Sequence, residues 1–195
     1  GERGISGLVE AAMKTIGLTA HVDKLRCADA LVRLVPAAAA RGLRLVAWGD
    51  TAALLERQGA AFTRGGPADA DAVMVLGGDG TMLRAVRDTV LAGRPVIGLN
   101  LGSLGFLTSV SENDLERALD CLARDDYTVS TRRLAVCAAI RGGQPVSESL
   151  CLNECVIRNG DSGRMVELAV EVDGGAQASI SADGLIVATP TGSTG

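Results

Sequence analysis

The sequence predicts an α/β lobe with a parallel sheet, followed by an antiparallel all-β lobe that we expect to be truncated at its C-terminus. Two observations predict the first lobe. Apolar runs alternate with helical patterns as far as residue 110, and the run AVMVL at 72–76 lacks polar alternation, as strands covered on both faces do. Beyond residue 126 only strand-like segments remain, separated by turn signals, which predicts the second lobe. We expect domains over 1–110 and 111–195.

The elements of the first lobe follow from hydrophobic period and from the positions of glycine and proline. A strand over 15–21 precedes an amphipathic helix over 27–41, which ends at Gly42 and which Pro36 is expected to kink or split. The next elements are a strand over 44–48, a helix over 51–58, a strand over 68–76, a helix over 81–93 and a strand over 94–100. This alternation favours βαβ units.

The second lobe begins with one more helix. SENDLERALDCLARDD at 111–126 has a serine cap and acidic residues in its first turn, which suit the helix dipole. The strand-like segments that follow are 127–140, 146–158, 164–172, 176–180 and 184–189. The turn signals RGG, RNG, DGG and ADG between them predict antiparallel pairing.

Composition excludes several classes of protein. The chain has 195 residues, 47% of them hydrophobic, which is ample for a core, and a net charge of −4 with 2% aromatics, which argues against nucleic acid as a partner. No apolar run approaches the roughly 18 residues that a membrane span needs, and no secretory signal is recognisable. We therefore expect a cytoplasmic protein with neither a nucleic-acid nor a membrane partner.

The cysteines predict neither a disulfide framework nor a zinc site. Their number is odd and no C-x-x-C pair occurs, so we expect reduced and mostly buried thiols. The five are Cys27, Cys121, Cys137, Cys151 and Cys155.

The stretch LGGDGTML at 76–83 is the first candidate site. Glycines at the carboxyl end of a parallel strand, before a helix, let backbone N–H groups approach an anion closely. The stretch is neither a P-loop nor a standard dinucleotide fingerprint. From these residues alone, Asp79 either shapes a tight turn or acts on a ligand.

A second glycine-rich stretch, GLNLGSLGFLT at 98–108, also follows a predicted strand. Two such loops on neighbouring parallel strands would flank one crevice. Phe106 either packs in the core or lines a nucleotide pocket.

Two further stretches lie in the second lobe. LNECVIRNG at 152–160 places an amide beside a carboxylate, which can bind hydroxyls and ring nitrogens of a nucleoside. SADGLIVATPTGSTG at 181–195 ends in a hydroxyl-rich loop suited to phosphate or ribose, although each stretch taken alone is also typical of a surface pair or a hairpin turn.

Taken in order, the four stretches resemble the NAD kinases, which phosphorylate the 2′-hydroxyl of the adenosine ribose of NAD to give NADP. The resemblance runs from about residue 15 to the end of the sequence. GGDG alone is shared with the diacylglycerol and sphingoid-base kinases, but their next loop is expected to read more like G-T-G-N than GLNLGSLGFL. The lipid kinases therefore remain the weaker alternative.

The resemblance implies a role for each matching residue. Asp79 would be the catalytic residue that accepts the ribose hydroxyl proton as that oxygen attacks the γ-phosphate of ATP, and it is also the one residue that could help to hold Mg²⁺ or another divalent metal. Gly78 and Gly80 would let the substrate pyrophosphate approach the backbone. Arg84 would contact the dinucleotide.

In the second lobe, the resemblance implies that Asn153 and Glu154 hold adenine and ribose groups. Arg164, Asp183, Thr191 and Thr194 match further dinucleotide contacts, with Asp183 towards the nicotinamide. The partners would be ATP as phosphate donor and NAD as acceptor, and the full-length parent would be a homo-oligomer, either a dimer or a tetramer. The alternative of another class is a dinucleotide-binding fragment without catalysis, because the family continues beyond G-S-T into further strands whereas this sequence stops at Gly195.

Overall fold

The computed structural model describes residues 14–22, 25–102, 105–160 and 163–194. These described residues form two compact units, with the division between Ser130 and Thr131. None of the helices in the described part of the chain has the length and apolar character that crossing a bilayer requires.

The first unit is built on one parallel sheet. Its strands are β1 (Thr15–Ala20), β2 (Arg44–Ala47), β3 (Thr63–Arg64), β4 (Ala72–Leu76), β5 (Val96–Asn100) and β6 (Val110–Ser111), and its helices are α1 (Leu25–Ala39), α2 (Gly49–Arg57), α3 (Asp79–Thr89) and α4 (Leu115–Ala123). The six strands lie in the order β3-β2-β1-β4-β5-β6 and every pairing is parallel. The predicted α/β lobe with a parallel sheet is confirmed.

Strand β4 shows why its run of apolar residues does not alternate with polar ones. Met74 and Leu76 belong to the core cluster that includes residues of α1, α2 and α4, whereas Val73 and Val75 pack with Met82 of α3. Successive side chains of a strand point to opposite faces, so a strand covered on both sides needs apolar residues throughout. The sheet is therefore the middle of three layers.

Two local features of this unit differ from the sequence predictions. Helix α1 runs through Pro36 as one element and is not split there, and the Pro36 carbonyl accepts a bond from the N–H of Ala40. Strand β3 was not expected, because both of its residues are exposed and two residues carry no hydrophobic pattern.

Helix α4 packs within the first unit. Its residues Leu115, Leu119 and Leu122 join the main core cluster. The expected domain boundary between 110 and 111 stays a prediction; the packing itself groups 111–130 with the sheet.

Over its described residues, the second unit consists of strands, their connecting turns and a terminal 3₁₀ turn at Gly192–Thr194. The strands are β7 (Ala135–Arg141), β8 (Gln144–Cys151), β9 (Glu154–Arg158), β10 (Val166–Val172), β11 (Gly175–Ala182) and β12 (Gly184–Ala188). They form three two-stranded antiparallel ladders, β7–β8, β9–β12 and β10–β11. The predicted antiparallel β lobe is confirmed, although the strand expected over 146–158 is two strands, interrupted where Leu152 is buried.

Candidate functional sites

The strand order of the first unit reverses between β1 and β4. From β1 the chain builds one side of the sheet outwards through β2 and β3, and from β4 it builds the other side through β5 and β6. Open α/β sheets bind ligands outside the carboxyl ends of the strands at such a reversal. LGGDG leaves β4 at this point and GLNLGSLGFLT leaves the adjacent strand β5, so the expectation that the two loops leave neighbouring parallel strands is confirmed.

Asp79 connects these two loops. It is the first residue of α3, and its Oδ2 and Oδ1 accept bonds from the backbone N–H groups of Phe106 at 2.8 Å and Leu107 at 3.0 Å. Both bonds are to a half-buried carboxylate, which makes them stronger than neutral ones. A carboxylate has about four lone-pair sites, so two remain for a ligand. Asp79 therefore does more than shape the turn of its own loop.

The glycines around Asp79 separate into two groups. A Cβ on Gly77 would lie 2.7 Å from the Cβ of Thr81, and a Cβ on Gly105 would lie 2.7 Å from the Cγ of Asp79, so neither position has space for a side chain. A Cβ on Gly78 or Gly80 would have no heavy atom within 4 Å. The open space therefore lies at Gly78 and Gly80, the two glycines that the family resemblance places beside the substrate pyrophosphate.

Two predicted residues of this unit face solvent. Phe106 is 82% exposed, so its packing in the core is excluded. Arg84 is an exposed residue of α3 and has no salt-bridge partner within the described part of the chain. Both side chains are free to meet a ligand.

A cavity of about 270 Å³ lies elsewhere in this unit, at the ends of β5 and β6. It is lined by residues that include Arg26, Asn100 and Glu112, and by none of the predicted site residues. Its lining residues Asn100 and Gly102 belong to the GLNLGSLGFLT stretch, so a loop that the sequence analysis singled out borders this cavity.

In the second unit, Asn153 is held by its backbone. The Asn153 carbonyl accepts a bond of 2.8 Å from the N–H of Thr189, just beyond the end of β12. Its side-chain Oδ1 is buried and has no hydrogen-bond partner among the described residues. Buried polar atoms are seldom left without a partner, so this oxygen is available to a ligand donor. Glu154, the next residue, is exposed at the start of β9.

Thr189 is the positioning residue that sequence reasoning missed. Its buried hydroxyl donates to the carbonyl of Leu152 and accepts the N–H of Gly192 at 3.2 Å. A Cβ on Gly192 would lie 2.6 Å from the Cα of Asn153. Thr189 thus joins the segment of Asn153 and Glu154, called the NE pair below, to the terminal loop. The sequence signal for this role was the position of Thr189 among the hydroxyl residues of TPTGST.

The terminal loop contains the two threonines predicted as contacts. Thr191 is half-buried in the turn before the 3₁₀ segment, and Thr194 is the last residue of that segment. The structure brings this loop beside Asn153, as the Gly192 contact requires.

Asp183 and Arg164 lie apart from the NE pair. Glu154 pairs with Ala188 and Arg158 pairs with Gly184, so Asp183 is beyond the far end of the β9–β12 ladder. It lies five positions from Ala188, about 17 Å along the strand at 3.3 Å a residue. Arg164 is exposed and precedes β10, in another ladder.

Across the described ranges, no group of three or more His, Cys, Asp or Glu residues is placed to hold a metal ion. Asp79 is a single carboxylate with two oxygens already bonded to N–H groups. This donor set fits a magnesium ion that takes most of its ligands from bound phosphates, as magnesium commonly does, and does not form a protein cage.

Two family models match the chain. The ATP-NAD kinase N-terminal domain matches residues 9–127, and the ATP-NAD kinase C-terminal domain matches residues 152–195. The first match covers the sheet and Asp79, and the second covers the NE pair and the terminal loop.

Curated relatives give the same result. The chain is 39% identical over 184 residues to an NAD kinase of Desulforamulus reducens and 39% identical over 183 residues to an NAD kinase of Geotalea daltonii. The alignments cover 93% and 94% of this chain but 64% of each relative. The chain thus spans less than two thirds of the length of these relatives.

Solved structures share the fold. A yeast NADH kinase complexed with NADH superimposes with a TM-score of 0.81 at 21% identity, over 95% of this chain and 60% of the yeast chain. An NAD kinase from Archaeoglobus fulgidus in complex with ATP gives 0.57 at 23% identity, over 93% of this chain and 63% of the other.

Proposed function

Because the chain belongs to the ATP-NAD kinase family, we propose that it transfers the γ-phosphate of ATP to the 2′-hydroxyl of the adenosine ribose of NAD, forming NADP. The observation that carries this proposal is the position of Asp79. Its carboxylate stands where the strand order reverses, is fixed by two backbone N–H groups, and lies between two glycines that face open space.

In the proposed reaction, Asp79 orients the ribose hydroxyl and accepts its proton. An ordinary aspartate is a weak base, with a pKa of about 3.9. Positioning and charge stabilisation supply most of the rate in phosphoryl transfer, so a weak base that is held rigidly is sufficient. The bonds from Phe106 and Leu107 supply that rigidity and leave lone pairs for the hydroxyl.

The proposed role of Gly78 and Gly80 is to admit phosphate groups. Gly80 lies in the first turn of α3, where backbone N–H groups lack partners within the helix and the helix dipole favours an anion. A side chain at either glycine would occupy this space. Arg84, one turn further along the same helix, adds a positive charge, and exposed Phe106 offers an apolar face to a base or ribose.

The NE pair and the terminal loop are proposed to bind parts of the dinucleotide. The unpartnered Oδ1 of Asn153 suits an N–H donor such as the adenine amino group, and the exposed carboxylate of Glu154 suits ribose hydroxyls. Asp183 would meet a group towards the nicotinamide, and Arg164, Thr191 and Thr194 would make further contacts. A magnesium ion would neutralise charge on the phosphates of ATP, and Asp79 is the one residue proposed to contact it.

We further propose that the protein acts in the cytoplasm as a homo-oligomer, a dimer or a tetramer, without nucleic-acid or membrane partners. The low aromatic content and the net charge of −4 support the absence of a nucleic-acid partner. Oligomer number is measured by light scattering on the purified protein.

The test is to supply the chain with NAD, ATP and Mg²⁺ and to follow NADP. Asp79→Asn is expected to lower turnover by about 10²- to 10⁴-fold with NAD binding retained. Asp88→Asn, an exposed acid on the same helix, is the matched control and should keep full activity. Equal activity of wild type and Asp79→Asn would refute the role of this carboxylate.

Two other results would identify the alternatives. NAD binding by calorimetry without any turnover in the wild type would indicate a dinucleotide-binding module. Phosphate transfer to a diacylglycerol or a sphingoid base, with none to NAD, would indicate a lipid kinase.

A further inference from the structure

Three cysteine thiols come together in the second unit. Cys137 lies on β7, Cys151 ends β8 and Cys155 is the second residue of β9. The Sγ atoms of Cys137 and Cys151 are 3.6 Å apart. Cys155 is near enough to Cys137 to help raise the pKa of the Cys137 thiol. The expectation of mostly buried cysteines is wrong, since only Cys27 is buried and these three are half-buried.

Two of the three thiols flank the NE pair. The sequence 151–155 reads CLNEC, so Cys151 lies two residues before Asn153 and Cys155 directly follows Glu154. The proposed binding residues therefore lie on a short segment with a thiol at each end. The Cys151 thiol contacts Cys137, and the Cys155 thiol is near it.

The strand register shows that joining these thiols moves the backbone. Ala135 pairs with Cys151 and Cys137 pairs with Ser149, so Cys137 and Cys151 are diagonal neighbours on one face. Diagonal neighbours are about 7–8 Å apart, whereas the Cα atoms of a disulfide are usually within about 6.8 Å. A bond here draws the end of β8, and with it the NE segment, towards β7.

We propose that Cys137, Cys151 and Cys155 form a peroxide-sensitive site, in which Cys137 and one of the two cysteines flanking the NE pair join in a reversible disulfide. Oxidation goes beyond the proposed phosphate transfer; its effect on NAD binding rests on that function. The third thiol can attack the new bond, which lets the disulfide move between Cys151 and Cys155.

The chemistry balances with one hydroperoxide. The thiolate of Cys151 or Cys155 attacks a peroxide oxygen, the O–O bond breaks, and a sulfenic acid and an alcohol form, or water from hydrogen peroxide. The sulfur of Cys137 then attacks the sulfenic sulfur, and the sulfenic oxygen leaves as water with the Cys137 proton. A dithiol reductant restores both thiols.

The order of attack follows from protonation. The neighbouring thiols of Cys155 and Cys151, together with burial, raise the pKa of Cys137 to about 12. Thiolates and not thiols are the nucleophiles, so Cys137 is not the first to react at neutral pH. It is the resolving partner.

The test uses hydrogen peroxide, N-ethylmaleimide and trypsin on the folded chain. Cleavage after Arg133, Arg141 and Arg158 places Cys137 in peptide 134–141 and both flanking cysteines in peptide 142–158. We expect a cross-link between these peptides that dithiothreitol removes. Cross-links confined to 142–158, with Cys137 alkylated, would overturn the proposal, as would five alkylated cysteines after peroxide.

Serine variants assign the bond. Cys137→Ser should abolish the cross-link, whereas Cys151→Ser and Cys155→Ser should each retain it through the remaining flanking thiol. Cys121→Ser, in α4, is the matched control and should not alter it. Loss of the cross-link in the control would overturn the assignment.

Calorimetry with NAD tests the consequence. Oxidation is expected to weaken NAD binding at least tenfold, with recovery on reduction and no effect in Cys137→Ser. An unchanged affinity in cross-linked protein would overturn the coupling to the NE segment. Failure of the reduced protein to bind NAD would instead refute the proposed function and leave the cross-link result standing.

Discussion

The two units of this chain are stabilised in different ways. The first places fully buried side chains on both faces of its sheet, among them Leu18, Leu34 and Val75. The second, across its described residues, buries only Leu152 and Thr189. Both lie at the NE segment and its terminal loop. A core therefore orders the first unit, whereas hydrogen bonds between loops order the candidate site of the second.

The ladders of the second unit also carry exposed apolar residues. Val136, Ile140, Val156 and Ile186 are all more than half exposed. Isolated two-stranded ladders are marginally stable in water, because they bury little apolar surface. We expect the first unit to dominate the free energy of unfolding, and the following changes test that difference.

The largest effect is expected in the core of the first unit. Leu34→Ala removes a fully buried side chain of α1 and should lower the free energy of unfolding by roughly 3–5 kcal/mol. Leu25→Ala, on the same helix but 85% exposed, is the control, with a change within about 0.5 kcal/mol. Urea unfolding measures both, and similar losses would contradict the core assignment.

The second effect is on the geometry of Asp79. In Gly105→Ala the new Cβ would lie 2.7 Å from the Asp79 Cγ, which displaces the carboxylate or the loop. Turnover of NAD should fall by about 10²-fold, since a displacement near 1 Å at a reacting group can cost that much. Gly66→Ala, where a Cβ would meet only an oxygen 4.0 Å away, should keep its activity. Unchanged turnover in Gly105→Ala would show that this contact is dispensable.

The third effect concerns the loop connection in the second unit. Thr189→Val keeps the shape of the side chain but leaves the Leu152 carbonyl and the Gly192 N–H without their partner. A loss of about 1–2 kcal/mol is expected. Amide hydrogen exchange at Gly192 should accelerate about tenfold. Ser179→Ala, on exposed β11, should leave this exchange rate unchanged.

The smallest effect is electrostatic and depends on pH. Arg41 at the end of α1 hydrogen-bonds to Asp120 of α4 at 2.8 Å, which lowers the pKa of that carboxyl. A lowered pKa contributes stability that is fully present above about pH 4, the ordinary value for aspartate, and that is lost as the pH falls through the lowered pKa. Asp120→Asn should therefore lower the Tm slightly at pH 7 and by less at pH 3. Asp88→Asn should show no such difference.

Elements that are marked by the spacing of apolar residues and by glycines could be predicted from the sequence. AVMVL could be identified as a strand covered on both faces because every residue is apolar, and GGDG could be placed at its end because glycines break the run. Strand β3 could not be found, since its pairing is decided by the edge of the sheet and not by its own two residues.

Long-range contacts were beyond the same reasoning. The bonds from Phe106 and Leu107 to Asp79 join residues 27 and 28 positions apart. The hydroxyl of Thr189 bonds to Leu152, 37 positions away. The thiol contact across β7 and β8 depends on a register that no local pattern of residues specifies.

The hydrogen bonds from Phe106 and Leu107 to Asp79 couple the loop after β5 to the loop after β4. A ligand that pushes on Phe106 must also move the carboxylate, because both carboxylate oxygens are bonded to this backbone. An inhibitor seated on the exposed Phe106 ring would therefore disturb the base without touching it. Asp79 therefore joins the two loops, so a substitution that removes both carboxylate oxygens, such as Asp79→Ala, also frees the 105–107 backbone from α3.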